Sequence, residues 1–449
     1  MDSIIRSLHS WKKNLLVCLT LFVFSSAYSQ TKQIDSLQNT IPSLNGKAKV
    51  DALVEYARSL VSINYNKSKE ASHDAYELAD RIHYGRGKVT SLISEAVNEF
   101  SVFNNKRSRQ LFKESIALSQ RLKAKDLEGY AMAYLGLNYQ NANQLDTALI
   151  YYNRSFELLK DNSNPFYLSF LYLTLSDYYG ILGESETQFS YLEKCWSIRE
   201  KFKLIKYLPY IGTRMAAYYV NKGNFSQAKD YLSRTQKALG NDTVNNESIA
   251  LINQQRAIVY AREGNILLAL TLSDKARTFY EENSFPLELT NLLIDIGEVL
   301  EEISNYEAGL KNLFEALKIA EYNHFEFEII KIWIRIAWIY YDINEFKTAK
   351  AYIEKIMLSP SLARYPKEEA AASNILGLTF LSENKIPEAM SHLNRSLAIR
   401  KRINYQIGVA ASLYNIGLVF EELNNLDSAV YYHHQSLALE EATGHAVGI

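Results

Sequence analysis

The stretch "LYNIGLVFEELNNLDSAVYY", Leu413 to Tyr432, decides the fold. Its first half sets Leu413, Ile416 and Phe420 at i, i+3 and i+7 around Gly417, an apolar stripe of helical period. "NN" interrupts the stripe, and a second helical stretch follows with Ala429, Leu437 and Leu439 as its apolar markers. Counting back from Gly417 meets Gly377, Ala337, Gly297, Ala257, Ala216, Ser176, Gly136, Ala96 and Ala57. The spacing is 40 residues except for 41 between Ala216 and Ala257 and 39 between Ala57 and Ala96. Self-similarity at such a period marks a stack of small units, each burying its apolar face on its neighbours. The expectation is an all-α, right-handed superhelical solenoid of about ten helix pairs over residues 49–443. Such a fold presents a surface rather than a catalytic pocket.

Bulk properties agree with a stack. At 449 residues the chain is too long for one rounded core. Only seven prolines occur, as a helical chain requires. Charge is nearly balanced, with 49 Lys+Arg against 50 Asp+Glu. A balanced chain has no general attraction for nucleic acid, so none is expected as a partner.

Residues 1–29 read as an export signal. Arg6, Lys12 and Lys13 precede the apolar run Leu15 to Phe24, which is too short to span a bilayer, and Ala27 and Ser29 offer a small-residue cleavage site. The alternatives are a lipoprotein signal at Cys18 and an uncleaved membrane anchor. Residues 30–48 form a lead-in. With Cys18 removed, Cys195 is the one cysteine left, and no disulfide can form within the chain.

Each unit reads as two helices around a defined turn. Seven residues after the small anchor come Asn143, Gly183, Gly223, Gly264, Asn344, Asn384 and Asn424, the residue types that tolerate a left-handed helix end. Two residues on, Leu145, Phe225, Ile266, Tyr306, Phe346, Ile386 or Leu426 returns to open the second helix. Pro165, Pro209, Pro286 and Pro366 sit where first helices open, and Pro387 where a second helix opens, positions at which a missing N–H costs least.

The units resemble tetratricopeptide repeats. The best copy supplies Tyr134, Leu135, Gly136, Tyr139, Ala148 and Tyr152 at the positions of that pattern. The 40-residue period is similar to the longer-helix subclass of kinesin light chains and polarity adaptors. The resemblance implies a groove lined by first helices, which selects Arg58, Phe170, Leu173, Tyr210, Ile258, Lys331, Trp338, Tyr341 and Tyr414, with Glu298 and Glu301 among them. Trp and Tyr bring large contact area at low entropic cost. The competing reading is that these side chains pack between repeats. No unit presents the Lys–Asn set with which chaperone-binding members hold a C-terminal carboxylate; Val54, Ile93, Ala133 and Ile294 fill such slots.

Reaction chemistry finds no support. "GRGK", Gly85 to Lys88, lacks the Ser or Thr of a phosphate loop. His433 and His434 point about 100° apart on a helix, which does not suit one metal. Cys195 occupies the slot of Ala276, Ala316 and Ser155, a small buried position. The acid pairs Glu281–Glu282, Glu301–Glu302 and Glu421–Glu422 read as solvated helix ends. No catalytic residue, cofactor or metal is expected.

The functional expectation is a non-enzymatic scaffold for a protein or peptide in the groove. An exported array of this kind resembles the periplasmic sensor part of repeat-containing bacterial histidine kinases and regulators. Residues 444–449 superpose on the start of the preceding unit, so they read as the opening of a further repeat. Two further classes stay open: a structural protein that self-associates through an uncapped C-terminal end as a homodimer, and an enzyme with a site between repeats.

Overall fold

The computed structural model describes residues 27–61, 63–142, 144–161, 164–182, 184–240 and 246–443. All the regular structure there is helical, without a strand among the described residues. Helix α1 (Ala27–Thr40) leads in and packs on the first pair. Ten pairs follow: α2 (Gly46–Leu60) with α3 (Tyr65–Arg81), α4 (Gly85–Ser101) with α5 (Asn105–Arg121), α6 (Lys125–Asn141) with α7 (Leu145–Leu159), α8 (Pro165–Leu182) with α9 (Ser185–Lys201), and α10 (Leu208–Asn221) with α11 (Phe225–Leu239). The next five are α12 (Asn246–Arg262) with α13 (Ile266–Glu282), α14 (Pro286–Glu302) with α15 (Tyr306–Tyr322), α16 (Glu326–Asp342) with α17 (Phe346–Met357), α18 (Pro366–Ser382) with α19 (Ile386–Arg402), and α20 (Gln406–Glu422) with α21 (Leu426–Thr443). This is the all-α solenoid expected from the repeat. Most of the expected signal and the segment 444–449 lie outside the described residues, as do Asn143 and Gly183.

Each anchor is buried where the second helix crosses the first. A side chain at Gly136 would place Cβ 2.7 Å from the Tyr152 ring, and Gly297, Gly377 and Gly417 face Leu313, Leu393 and His433 in the same way. Sixteen residues separate anchor and partner in all four. The small residue therefore sets the distance between the helices of a pair.

A second recurring device is a stacked aromatic pair between the two helices. Tyr139–Tyr151, Tyr179–Tyr191, Tyr219–Tyr231, Tyr340–Tyr352, Phe380–His392 and Phe420–Tyr432 stack at 5.3–6.0 Å within 17° of parallel. A third is a donor on the second helix bonded to a first-helix carbonyl 26 residues earlier. Ser155, Ser396 and Ser436 bond Gly129, Ala370 and Ala410 at 2.6–2.8 Å, and the Cys195 thiol bonds Ser169 at 3.1 Å.

The turns repeat every 20 residues rather than every 40. Gly223, Gly264, Asn344, Asn384 and Asn424 are left-handed as expected, and so are His83, Phe103, Lys123, Lys203, Ser284, Ser304, His324 and Asn404. At each, the next N–H reaches back five residues to close the helix, as from Asn104 to Glu99 or Phe325 to Ala320, at 2.9 Å. The same cap joins the helices of a pair and joins one pair to the next.

The chain packs as two compact units: residues up to 180, 186–215 and 233–249 form unit 1, and 181–185, 216–232 and 250 onwards form unit 2. Within unit 1, α2 touches α4 and α4 touches α6; within unit 2, α14, α16, α18 and α20 touch in succession. First helices thus form a continuous layer in each unit, and that layer is where ligand-facing side chains are to be sought.

Candidate binding face

In unit 2, side chains one repeat apart meet along the first helices. Arg262 on α12 reaches Glu298 at 3.6 Å and Glu302 at 2.7 Å on α14, while Arg335 on α16 holds Glu298 at 2.8 Å. Gln254 donates to Asp295 at 2.7 Å, and the Tyr280 hydroxyl donates to the Gln254 carbonyl at 3.2 Å, which fixes the amide's orientation. Lys331 donates to Asn291 at 3.2 Å, and Asn415 to Asn374 at 2.8 Å. Spacings of 36 to 41 residues bring the first-helix partners, all but the Tyr280–Gln254 pair, to the same level of adjacent helices.

The ladder leaves one acid over. Glu298 and Glu302 take up both arginines, whereas Glu301 Oε2 is enclosed with no hydrogen-bond partner. Burial pushes the Glu301 carboxyl up to about 7, against the pull of Arg335 and with repulsion from Asp342, Glu298 and Glu302. This corrects the expectation of a solvated Glu301–Glu302 pair: Glu301 is half-buried, because its helix end lies against α16 rather than in water. Asp295 is pushed to about 6, again first by burial. Trp338 and Tyr341 stand half-buried on α16, edge to face at 5.7 Å. Ile258 borders a narrow recess with Asp295 and Ala257 that encloses about 10 Å³, the space of a single water molecule.

Unit 1 uses the same positions differently. Phe170 and Leu173 are wholly buried, so these two side chains belong to the packing. Phe170 meets the Tyr134 ring at 4.3 Å and Tyr130 at 5.4 Å, while Tyr130 stacks on Tyr167 at 4.1 Å. Arg58 lies with its guanidinium 5.7 Å from the Tyr130 ring, and its Nη2 is buried without a hydrogen-bond partner. Tyr210 and Asp177 both bond Arg214. Arg58 and Phe170 thus join one aromatic cluster, and Tyr210 belongs to an ion-pair rung. Tyr414, in unit 2, is 50% exposed and stands apart beside His433 at 5.0 Å.

The remaining sequence candidates resolve as packing or surface. Cys195 is fully buried, and burial raises its thiol to about 11, so it is no nucleophile at neutral pH. In "GRGK", Arg86 bonds both oxygens of Asp126, and Lys88 bonds Asp80 at 2.6 Å. His433 lies against Gly417 and reaches Glu421 at 3.2 Å, whereas His434 is exposed. Among the described residues, no three His, Cys, Asp or Glu side chains gather as a metal site would need.

Sequence reading missed the rungs between first helices, although a signal for them exists. Asp177 and Arg214 are 37 residues apart, and so are Glu298 and Arg335. An acid just after one anchor and an arginine just before the next is a repeat-level pattern.

Models of the tetratricopeptide repeat match residues 330–358 and 368–442, which cover most of α16–α17 and the pairs α18–α19 and α20–α21. No curated protein matches the sequence significantly. Among solved structures, a Rap protein complexed with competence and sporulation factor is similar at 10% identity and TM-score 0.51, covering 88% of this chain and 98% of that one. A human IFIT1 dimer with m7Gppp-AAAA has 16% identity and TM-score 0.48, covering 94% of this chain and 97% of that one. A signal-transduction ATPase with a tetratricopeptide-repeat sensor from Pyrococcus horikoshii has 14% identity and TM-score 0.45, covering 88% and 68%. Residues 330–358 and 368–442 are thus tetratricopeptide repeats, and the other helix pairs of the described residues follow the same all-α plan.

Proposed function

We propose that the chain is a non-enzymatic scaffold that binds a protein or peptide along the first helices of unit 2, with a basic side chain of the ligand directed at Glu301. The observation that carries this reading is the enclosed, unpartnered Glu301 oxygen on α14, with Trp338 and Tyr341 half-buried on the neighbouring α16. A carboxylate left over after its neighbours have used both arginines gains most from an incoming ammonium or guanidinium. Half-buried aromatic rings on the same face supply apolar contact for the ligand's backbone and stem. The Rap protein of similar fold was solved complexed with a factor, in keeping with a binding role for such a stack.

Fluorescence titration of the full chain tests the reading, using a dansylated peptide that alternates Lys with Leu and a twin with Glu in place of Lys. The Lys peptide should bind at least tenfold more tightly, and Trp338→Ala should weaken it. Equal affinity for both peptides would sink the proposal.

We place this scaffold outside the cytoplasm, as part of a signalling system, on the strength of the n-region and apolar run before Ala27. Fusion of residues 1–40 to a reporter active only after export tests this, and a reporter retained in the cytoplasm would contradict it.

A second reading, self-association, rests on α21, where Leu426, Val430 and Tyr431 are each more than half exposed. Native mass spectrometry at two concentrations decides it. A dimer that grows with concentration and is lost in Val430→Glu supports the reading; a monomer at both removes it.

A further inference from the structure

The aromatic cluster of unit 1 holds a guanidinium whose Nη2 has no hydrogen-bond partner. Arg58 makes no ion pair or hydrogen bond among the described residues, and its Nη2 is sealed from solvent. The groups that act on its charge most strongly are the phenols of Tyr130 and Tyr167, then Glu55 one helical turn back, then Tyr134. A guanidinium taken out of water without an acceptor is costly, and neutral phenols do not discharge it. Burial holds the Tyr130 and Tyr134 hydroxyls well above their ordinary range, so both keep their protons.

The hydroxyls are arranged as donors. Tyr130 donates to the Tyr134 oxygen at 3.4 Å, which leaves the Tyr134 proton free to point elsewhere. A second guanidinium borders the cluster: Arg199 lies over Phe166 at 5.5 Å and over Tyr207 at 5.2 Å, and Phe166 meets Tyr130 edge to face at 6.1 Å. Arg199 is wholly buried, and although its Nη1 bonds the Lys206 carbonyl, its Nε and Nη2 have no partner. The half-buried Arg58, the wholly buried Arg199 and protonated phenols thus bring several N–H and O–H donors to one cluster, with N–H groups of both arginines left without a partner.

We infer that the Arg58–Tyr130–Tyr134–Tyr167 cluster of unit 1 is a receptor for a phosphoryl group. A tetrahedral oxyanion offers acceptors in several directions and suits donors carried by three neighbouring helices, α2, α6 and α8, where a single planar acceptor serves fewer of them. The aromatic rings around Arg58 lower the local dielectric and strengthen each such bond. The ligand is a phosphate ester, either a small soluble one or a lipid headgroup.

Thermal unfolding of the full chain at pH 7.5 and constant ionic strength tests the site, with inorganic phosphate, glycerol 3-phosphate, acetate and chloride as additives. Phosphate and glycerol 3-phosphate should raise Tm saturably, as a ligand of the folded state does. Arg58→Met should abolish the rise, and Tyr134→Phe should weaken the apparent affinity about tenfold by removing one donor. Sedimentation with phosphatidylglycerol vesicles, lost in Arg58→Met, would assign the group to a lipid headgroup; response to the soluble ester alone would assign it to a small ligand. A rise no larger than chloride gives, or one unchanged in both variants, overturns the inference. Should Arg58→Met fail to fold, Tyr134→Phe and the wild-type comparison of phosphate with chloride still decide. No peptide enters this measurement, so its failure leaves the unit 2 reading standing, and loss of that reading leaves this one.

Discussion

Unit 1 and unit 2 are built from one repeat, yet their first helices spend the same positions on opposite ends. In unit 1 the layer is filled by Tyr130, Tyr167 and Phe170, each at most 8% exposed, around an arginine whose Nη2 has no hydrogen-bond partner. In unit 2 the corresponding layer carries an ion-pair ladder with a spare carboxylate and two half-buried rings. The scaffold devices do not differ: the small anchor, the stacked aromatic pair and the left-handed cap recur in both. Anchors and caps therefore specify the stack, and the residues between them on the first helix specify what a unit can hold.

If the scaffold is shared, breaking it should hurt both units alike. Gly136→Leu in unit 1 and Gly377→Leu in unit 2 each force a side chain into contact at 2.7 Å, against Tyr152 or Leu393. Each should cost about 3 kcal/mol or more by overpacking, whereas the exposed Glu422→Leu should stay within about 0.5 kcal/mol. Chemical denaturation of the three variants checks the register, and equal midpoints for all three would refute it.

Substitutions on the inner layer should separate the units. Tyr130→Ala removes a side chain that is 1% exposed and should cost about 4 kcal/mol. Trp338→Ala, at a half-buried position, should cost less than half as much while weakening the Lys peptide. A stability loss at Trp338 equal to that at Tyr130 would make it a packing residue.

The units should also answer pH in opposite directions. Glu301 and Asp295 in unit 2 have folded pKa values raised to about 7 and 6. The folded state then binds more protons than the unfolded one between about pH 4 and 7, so stability falls as pH rises through that window. In unit 1, burial works against the Asp126 carboxylate, but the Arg86 bond wins and lowers its pKa. Lys69, Asn104 and Tyr65 do the same for Glu99. Their contribution is present above the unfolded carboxylate range and is lost as pH falls through the lowered values. Hydrogen exchange at pH 5 and 8 should show α14 and α16 better protected at the lower pH. Glu301→Gln should shrink that difference, and an unchanged difference would remove Glu301 from the account.

Among the recurring scaffold devices, the smallest effect expected is at the shared hydroxyl. Ser396→Ala leaves the Ala370 carbonyl without its side-chain donor and should cost about 1 kcal/mol. A much larger loss would show that this bond, rather than the anchor, sets the helix spacing.

The stack was legible in the sequence because the anchor sits at a crossing that admits no bulk, so ten positions repeat as Gly, Ala or Ser. The turns were half legible. Glycine and asparagine advertise a left-handed residue, whereas Phe103, Lys123 and His324 adopt it without any such signal because the cap hydrogen bond holds them there. The binding face was the least legible part. Position relative to the anchor selected Trp338, Tyr341 and Glu301, but it selected Phe170 and Leu173 by the same rule. Only packing between neighbouring first helices decides which of them is buried.

Photo-crosslinking tests the contrast between the two layers most directly. A benzophenone-bearing Lys peptide is bound to the full chain, irradiated and mapped by mass spectrometry. The account predicts adducts on α14 and α16, between Glu298 and Asp342, that disappear in Glu301→Gln and persist in Arg58→Met. Adducts concentrated on α2, α6 or α8, or unaffected by Glu301→Gln, would contradict it.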